Sequence, residues 1–330
     1  MRRVIVLFAA LGLLLASAQV SRGGQGKLKW LRSVYIDARG NGLKYPEGIA
    51  CTDESFVVAD TGNSRLLRFT YQGESVTPDA EFPLPKSRPM RLYLNSRGEI
   101  YFLDGRERRI AMLGAAGEKK GYLKPRSLPF STEVVPKSFT IDRQDQVYLL
   151  DVFSENVLVL DAEGQYLRHI PFPEDYGFFS DLAVGPQDTV YLLDGVDAVV
   201  YAAARGADGF SALSEGLKDY MNFPTSLTLD DSGTLYLVDQ FGSGLALVGR
   251  DGAFLGRKLS LGWNEGGLYY PSQICISGNG TLFVADRNNS RIQLFSLGEG
   301  QSEASSEDAE DAEPEGPSVV PPRPGLAPAH

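Results

Sequence analysis

Two phrases stand near opposite ends of this chain: VADTGNSRLLRF begins at Val58 and VADRNNSRIQLF begins at Val284. They share the frame V-A-D-x-x-N-S-R-x-x-x-F. Self-similarity of this kind marks repeat architectures and constrains the fold more than any other feature. The Asp of the phrase, closing an apolar run, recurs as FVVAD60, IYFLD104, VYLLD151, VYLLD194, LYLVD239 and LFVAD286, at spacings of 44, 47, 43, 45 and 47 residues. Upstream of each Asp lies a second apolar run: PEGIAC, PMRLYL, PKSFTI, FSDLAV, PTSLTL and PSQICI. Five open with Pro, and the fourth has Phe179 in its place. Turns such as NSRGE, DRQDQ, DDSGT and SGNGT separate the two runs and read as hairpin connections. A third run follows each Asp (RLLRF, RIAML, NVLVL, AVVYA, GLALV, RIQLF), and then another turn and a fourth strand.

Each repeat is therefore a four-stranded antiparallel unit. Six in series, with no convincing helix, predict an all-β six-bladed β-propeller. The sixth unit lacks a fourth strand of its own, while LKWLRSVYI, residues 28–36, lies ahead of the first unit without a partner. The N-terminal strand is expected to complete the last blade, closing the ring and removing an exposed edge.

The frame P-x-G-I-A at Pro46–Ala50, followed by V-A-D-x-x-N-x-R-I/L, resembles the NHL repeat. The resemblance runs over residues 31–297. It is strong in the first and last repeats and degenerate in the middle four, which lack the Asn and mostly lack the Arg. It implies the propeller fold but not an activity, because propellers host many unrelated functions.

The ends read differently. Arg2 and Arg3, the apolar run Val4–Leu15 and the A-x-A triplet Ala16–Ala18 have the layout of a secretory signal peptide over residues 1–18. Residues 19–30 read as a flexible lead and the start of the closing strand. Residues 298–330 hold eight acids and then a Pro-rich run, the composition of a disordered tail. This layout predicts an exported protein, periplasmic or extracellular, with no transmembrane segment in the mature chain. Net charge is −10, and the body without leader and tail is mildly acidic, which argues against nucleic acid as a partner.

The marker aspartates read as turn acceptors, with Arg65 and Arg291 placed to pair with two of them. The two residues after each blade-opening position should edge the channel: Glu47-Gly48, Met90-Arg91, Lys137-Ser138, Ser180-Asp181, Thr225-Ser226 and Ser272-Gln273. Glu47, Arg91, Lys137, Asp181 and Gln273 are the candidate binding residues there. Lactonase-type propellers resembling this one place acids and asparagines around a metal at such positions, and only Glu47 and Asp181 answer that description. The mixed charge favours pairing of Glu47 and Asp181 with Arg91 and Lys137, and no metal or other cofactor is expected. The resembling amidating lyases use zinc-bound histidines. His169 and His330 cannot supply such a set, and His169 alone is a poor base for a Ser–His–Asp nucleophile.

The connections on the same face are rich in aromatics. Phe223, Tyr270 and Tyr45 read as packing between blades, whereas Tyr176, Phe178 and Trp263 read as an exposed binding patch. Cys51 and Cys275 fall in neighbouring blades; the count from Pro sets them in opposite register and the count from Asp in the same register, so the spacing leaves their pairing open. The functional expectation is an exported, monomeric, non-catalytic binding or scaffold propeller, holding a protein partner or extended ligand in the envelope or outside the cell. The alternative is a metal-dependent lactonase- or lyase-like hydrolase in the channel.

Overall fold

The computed structural model describes residues 28–130 and 133–298. The leader expected at 1–18 and the tail from residue 299 onward lie outside them. The described chain forms six four-stranded antiparallel sheets arranged as blades. Blade 1 comprises Gly48–Cys51, Ser55–Asp60, Arg65–Gln72 and Ser75–Pro83. Blade 2 comprises Pro89–Leu94, Ile100–Asp104, Arg109–Leu113 and Lys119–Tyr122, and blade 3 Pro136–Ile141, Val147–Asp151, Asn156–Leu160 and Tyr166–Pro171. Blade 4 comprises Phe179–Val184, Val190–Asp194, Val200–Ala203 and Ser211–Ala212, and blade 5 Pro224–Leu229, Leu235–Asp239, Gly244–Val248 and Phe254–Lys258. Blade 6 takes Ile274–Ile276, Thr281–Asp286 and Arg291–Leu297 from one end of the chain and Leu28–Val34 from the other. The closing pair is antiparallel, with Leu28 opposite Leu297 and Val34 opposite Ile292. The strands of a blade are called a to d from the channel outward.

The b strands explain the shape of the sequence signal. VYLLD and LYLVD are buried at every position, because a middle strand of a blade is covered on both faces by its neighbours. A run covered on both faces reads as continuously apolar rather than alternating. Between blades 6 and 1 the packing is aromatic: Phe56 lies 5.1 Å from Phe69 and 4.9 Å from Phe283, with Tyr71 edge-on to Phe283 at 5.1 Å. Burying each such ring contributes about 1.5–3 kcal/mol.

Each marker Asp bolts two segments together at one end of its blade. Asp60, Asp104, Asp151, Asp194, Asp239 and Asp286 accept hydrogen bonds from the main-chain N–H groups of Lys44, Arg88, Val135, Phe178, Phe223 and Tyr269, respectively, at 2.7–3.1 Å. The donor always belongs to the connection entering that blade. The turn between strands b and c thus shares a face with the blade-to-blade connections, and this face is called the upper face. Four residues after each marker, Ser64, Arg108, Glu155, Ala198, Ser243 and Ser290 all have φ of 50–55°. This left-handed residue turns the chain into strand c.

Gly48 permits blades 1 and 2 to meet: a Cβ there would lie 2.0 Å from the Met90 carbonyl oxygen. Gly48→Ala is expected to cost about 1–3 kcal/mol through overpacking, read as a lowered urea midpoint. An unchanged midpoint would contradict this contact.

Candidate functional site

The second residues after the blade-opening positions form a ring that closes the channel near the upper face. In chain order they are Gly48, Arg91, Ser138, Asp181, Ser226 and Gln273. Asp181 is fully buried and accepts hydrogen bonds from Ser138 Oγ (2.5 Å) and the Leu227 N–H (3.0 Å). Arg91 reaches across from blade 2. It lies 3.8 Å from Asp181 and donates to the carbonyls of Ser272 (3.2 Å) and Thr225. Gln273 accepts from the Ile49 and Leu92 N–H groups at 3.2 and 3.0 Å and donates to the Leu92 carbonyl at 3.1 Å. One glutamine side chain thereby ties blade 6 to blades 1 and 2. Tyr93 fits beneath this layer. Burial, reinforced by the negative charge of Asp181, pushes its phenol well above the usual range.

The remaining mouth residues pair differently from the sequence expectation. Glu47 joins neither Arg91 nor Lys137. It accepts from Arg88 at 3.1 Å and from Arg287 at 3.2 Å, and Arg287 also lies over the Tyr45 ring at 5.4 Å. Lys137 stands over the Phe178 ring at 5.0 Å. Asp181 with Arg91 is the expected pair that forms.

Below this ring the channel opens. A narrow space of about 180 Å³, walled by Leu92, Leu227 and Ile274 among others, leads to a wider cavity of about 640 Å³ at the lower face. Cys51 and Cys275 both line the narrow space and form a disulfide, with their Cα atoms 6.0 Å apart, joining the inner strands of blades 1 and 6. Among the described residues, no three His, Cys, Asp or Glu side chains converge to hold a metal ion. His169 is on an outer strand, with Nδ1 2.7 Å from the Tyr166 hydroxyl.

The upper face carries the exposed apolar groups. Trp263 is 72% exposed, and Phe178 is also exposed. Tyr176 is a correction. It is half-buried, stacked on Phe179 at 4.8 Å and edge-on to Phe172 at 5.5 Å, so it packs in the core between blades. The opposite correction applies to Tyr45, which is exposed, whereas Tyr270 is half-buried against its neighbours. Tyr45 and Tyr270 both precede a blade-opening Pro with φ of 48° and 51°, a region disfavoured for bulky residues. Each is held by a serine of the preceding blade, Tyr45 N–H by Ser290 Oγ (3.4 Å) and Tyr270 N–H by Ser243 Oγ (3.3 Å). Tyr45 projects into solvent, and Tyr270 joins a row of rings.

That row runs Phe223, Phe241, Tyr270, Tyr269, Trp263, with successive centroids 5.0, 5.6, 5.3 and 6.2 Å apart. Its second ring, Phe241, sits at the tip of the blade 5 b–c turn and is 55% exposed. Phe153 and Val196 hold the same tip position, two residues past the marker Asp, in blades 3 and 4, and both are exposed. Sequence reading passed over these three tips. An apolar residue where turn chemistry asks for a polar residue or glycine was the available signal.

Residues 268–295, in blade 6, match the model of the NHL repeat. A search of curated protein sequences finds no match. Among solved structures, the chain is similar to a gluconolactonase from Xanthomonas campestris, with 16% identity, coverage of 83% of this chain and 91% of that one, and a TM-score of 0.62. It is similar to a virginiamycin B lyase from Staphylococcus aureus, with 15% identity, coverage of 82% and 100%, and a TM-score of 0.58. A streptogramin B lyase gives 14%, 81% and 97%, and 0.59. At these identities the likeness is one of fold.

Proposed function

We propose that this propeller is an exported binding or scaffold module that holds a protein partner or extended ligand on its upper face. The observation carrying the reading is the aromatic row from Phe223 to Trp263, in which Phe241 and Trp263 are exposed, with further exposed apolar turn tips, Phe153 and Val196, at the equivalent position of blades 3 and 4. Single exposed apolar residues need no explanation, but contiguous ones mark interaction sites. The left-handed Tyr45 and Tyr270 add to this, since strain of order 1–3 kcal/mol per residue clusters where recognition uses it.

A metal-dependent lactonase- or lyase-like site in the channel receives less support. The guanidinium of Arg91 fills the mouth and is bound to carbonyls of blades 5 and 6. A cation fixed there repels the divalent ion such chemistry would use.

The test is capture from an extract of the producing cells' envelope by wild-type protein and by a Phe241→Ala/Trp263→Ala variant. Buried aromatic anchors each carry about 1–2 kcal/mol or more of binding. The variant, melting as wild type does, is therefore expected to lose about tenfold or more of a stoichiometric partner. Equal recovery by both proteins would overturn the proposal.

A further inference from the structure

Charge is distributed unevenly around the ring. Residues 86–126, comprising blade 2 and its flanking connections, contain eleven Lys or Arg and four Asp or Glu, net +7 in a chain of net −10. The upper edge gathers six exposed cations. Lys86 and Arg88 lie in the incoming connection, Arg106 and Arg108 in the b–c turn, Arg109 at the start of strand c, and Lys124 in the outgoing connection. Arg88 is paired with Glu47. Arg106, Arg108, Arg109 and Lys124 form no ion pair within 4.0 Å with a described residue.

Beside these cations a cavity of about 420 Å³ opens between blades 2 and 3. Its lining joins Arg108, Arg109 and Lys124 to the aliphatic Ile110, Leu123 and Leu128. Glu107 and Glu133 also line it, so cations outnumber carboxylates by three to two. The site is therefore mildly cationic and in part apolar.

We infer that this edge of blade 2 docks an acidic segment of a partner polypeptide, with one large apolar side chain in the cavity and flanking carboxylates on the arginines and Lys124. Charge complementarity selects the acidic partner. The aliphatic lining selects a polypeptide over the other polyanions. Single-stranded nucleic acid binds by stacking bases on aromatic faces. The tyrosine at this edge, Tyr122, is half-buried and covered by the Arg109 guanidinium at 4.6 Å. A layer of lipid headgroups would meet the protruding cations but leave the recessed cavity unfilled. Blade 2 lies across the ring from blade 5, so this site stands or falls apart from the aromatic row.

The experiment uses the full chain and a short fluorescein-labelled peptide of glutamates flanking one phenylalanine, read by fluorescence anisotropy. The variant is Arg108→Glu/Lys124→Glu. Both positions are exposed, and Glu155 occupies the turn position of Arg108 in blade 3, so the reversal is compatible with folding. Wild type is expected to bind the peptide, more weakly as salt rises. Binding should fall about tenfold or more in the charge-reversed variant and also when the glutamates become glutamines or the phenylalanine becomes serine. Phe241→Ala/Trp263→Ala should bind as wild type does. No binding of the peptide overturns the inference. So does equal binding by the charge-reversed variant, or preference for a single-stranded oligonucleotide or for phosphatidylglycerol vesicles.

Discussion

Arg291→Ala is expected to lower the free energy of unfolding by about 3–5 kcal/mol, the range for breaking a buried ion pair from one side. Arg291 is 1% exposed. Its Nε donates to Asp286 at 2.7 Å, and its two terminal nitrogens donate to the Tyr35 hydroxyl (2.9 Å) and to the carbonyls of Trp263 (3.1 Å), Asn264 (2.8 Å) and Gly267 (2.8 Å). Alanine strands the fully buried Asp286 carboxylate and deprives the Tyr35 hydroxyl and the loop carbonyls of their donor. Arg291→Lys should recover only part of the loss, because an ammonium cannot reproduce the planar fork. The readout is the urea midpoint at unchanged slope.

The pH dependence of this variant follows from Asp286. Burial already pulls that carboxyl above its usual value, even with Tyr269 N–H, Asn289 and Arg291 bonded to it. Without the guanidinium it rises further. A carboxyl whose folded value exceeds its unfolded value binds more protons when folded, so protonation favours the folded state. The gap between variant and wild type should therefore narrow as pH falls through the raised Asp286 value. A gap independent of pH would mean that Asp286 is not the stranded group. Because Arg291 also holds the carbonyls of the segment bearing Trp263, the same variant should weaken upper-face binding.

The second large effect concerns the Cys51–Cys275 disulfide, which bridges a sequence separation of 224 residues. Closing a loop this long removes much of the unfolded chain's freedom. Cys51→Ser/Cys275→Ser is expected to cost about 4 kcal/mol, within the range of about 2–5 kcal/mol found for native disulfides. Reduced wild type should behave as the variant does, and both should show a steeper denaturant slope, since an unlinked chain exposes more surface. Equal stability of oxidised and reduced protein would mean that the strand pairing of Leu28–Val34 with Arg291–Leu297 closes the ring unaided.

The ring was legible because each of its signals lies within one repeat. The run to the marker Asp, the turn after it and the opening Pro are local, and their period is set by the four strands of a blade. The closing strand was legible as an arithmetic remainder. The site was less so, because its pairs cross between blades. Glu47 meets Arg287 of blade 6, and Gln273 bonds the backbone of blade 2. Such partners are chosen by the ring, not by spacing along the chain. Arg257 shows the same limit within a blade. The fifth repeat lacks the Arg five residues after its Asp, yet Arg257, eighteen residues on in strand d, reaches Asp239 at 2.7 Å. Tyr176 and Tyr45 exchanged their expected roles for a related reason. Whether a connection's aromatic turns inward depends on its backbone conformation, and the exposed Tyr45 has a left-handed φ, with its N–H bonded to a serine of the neighbouring blade.

We propose that the upper face is where this protein meets its ligand. The most direct measurement places a photo-crosslinking phenylalanine analogue at Phe241 in one variant and at Gln187, on the lower cavity, in another. Both are then irradiated in native extract and their adducts compared. Adducts formed from position 241 and not from 187 are the predicted result. Adducts from 187 alone would contradict the account and move the site to the lower cavity.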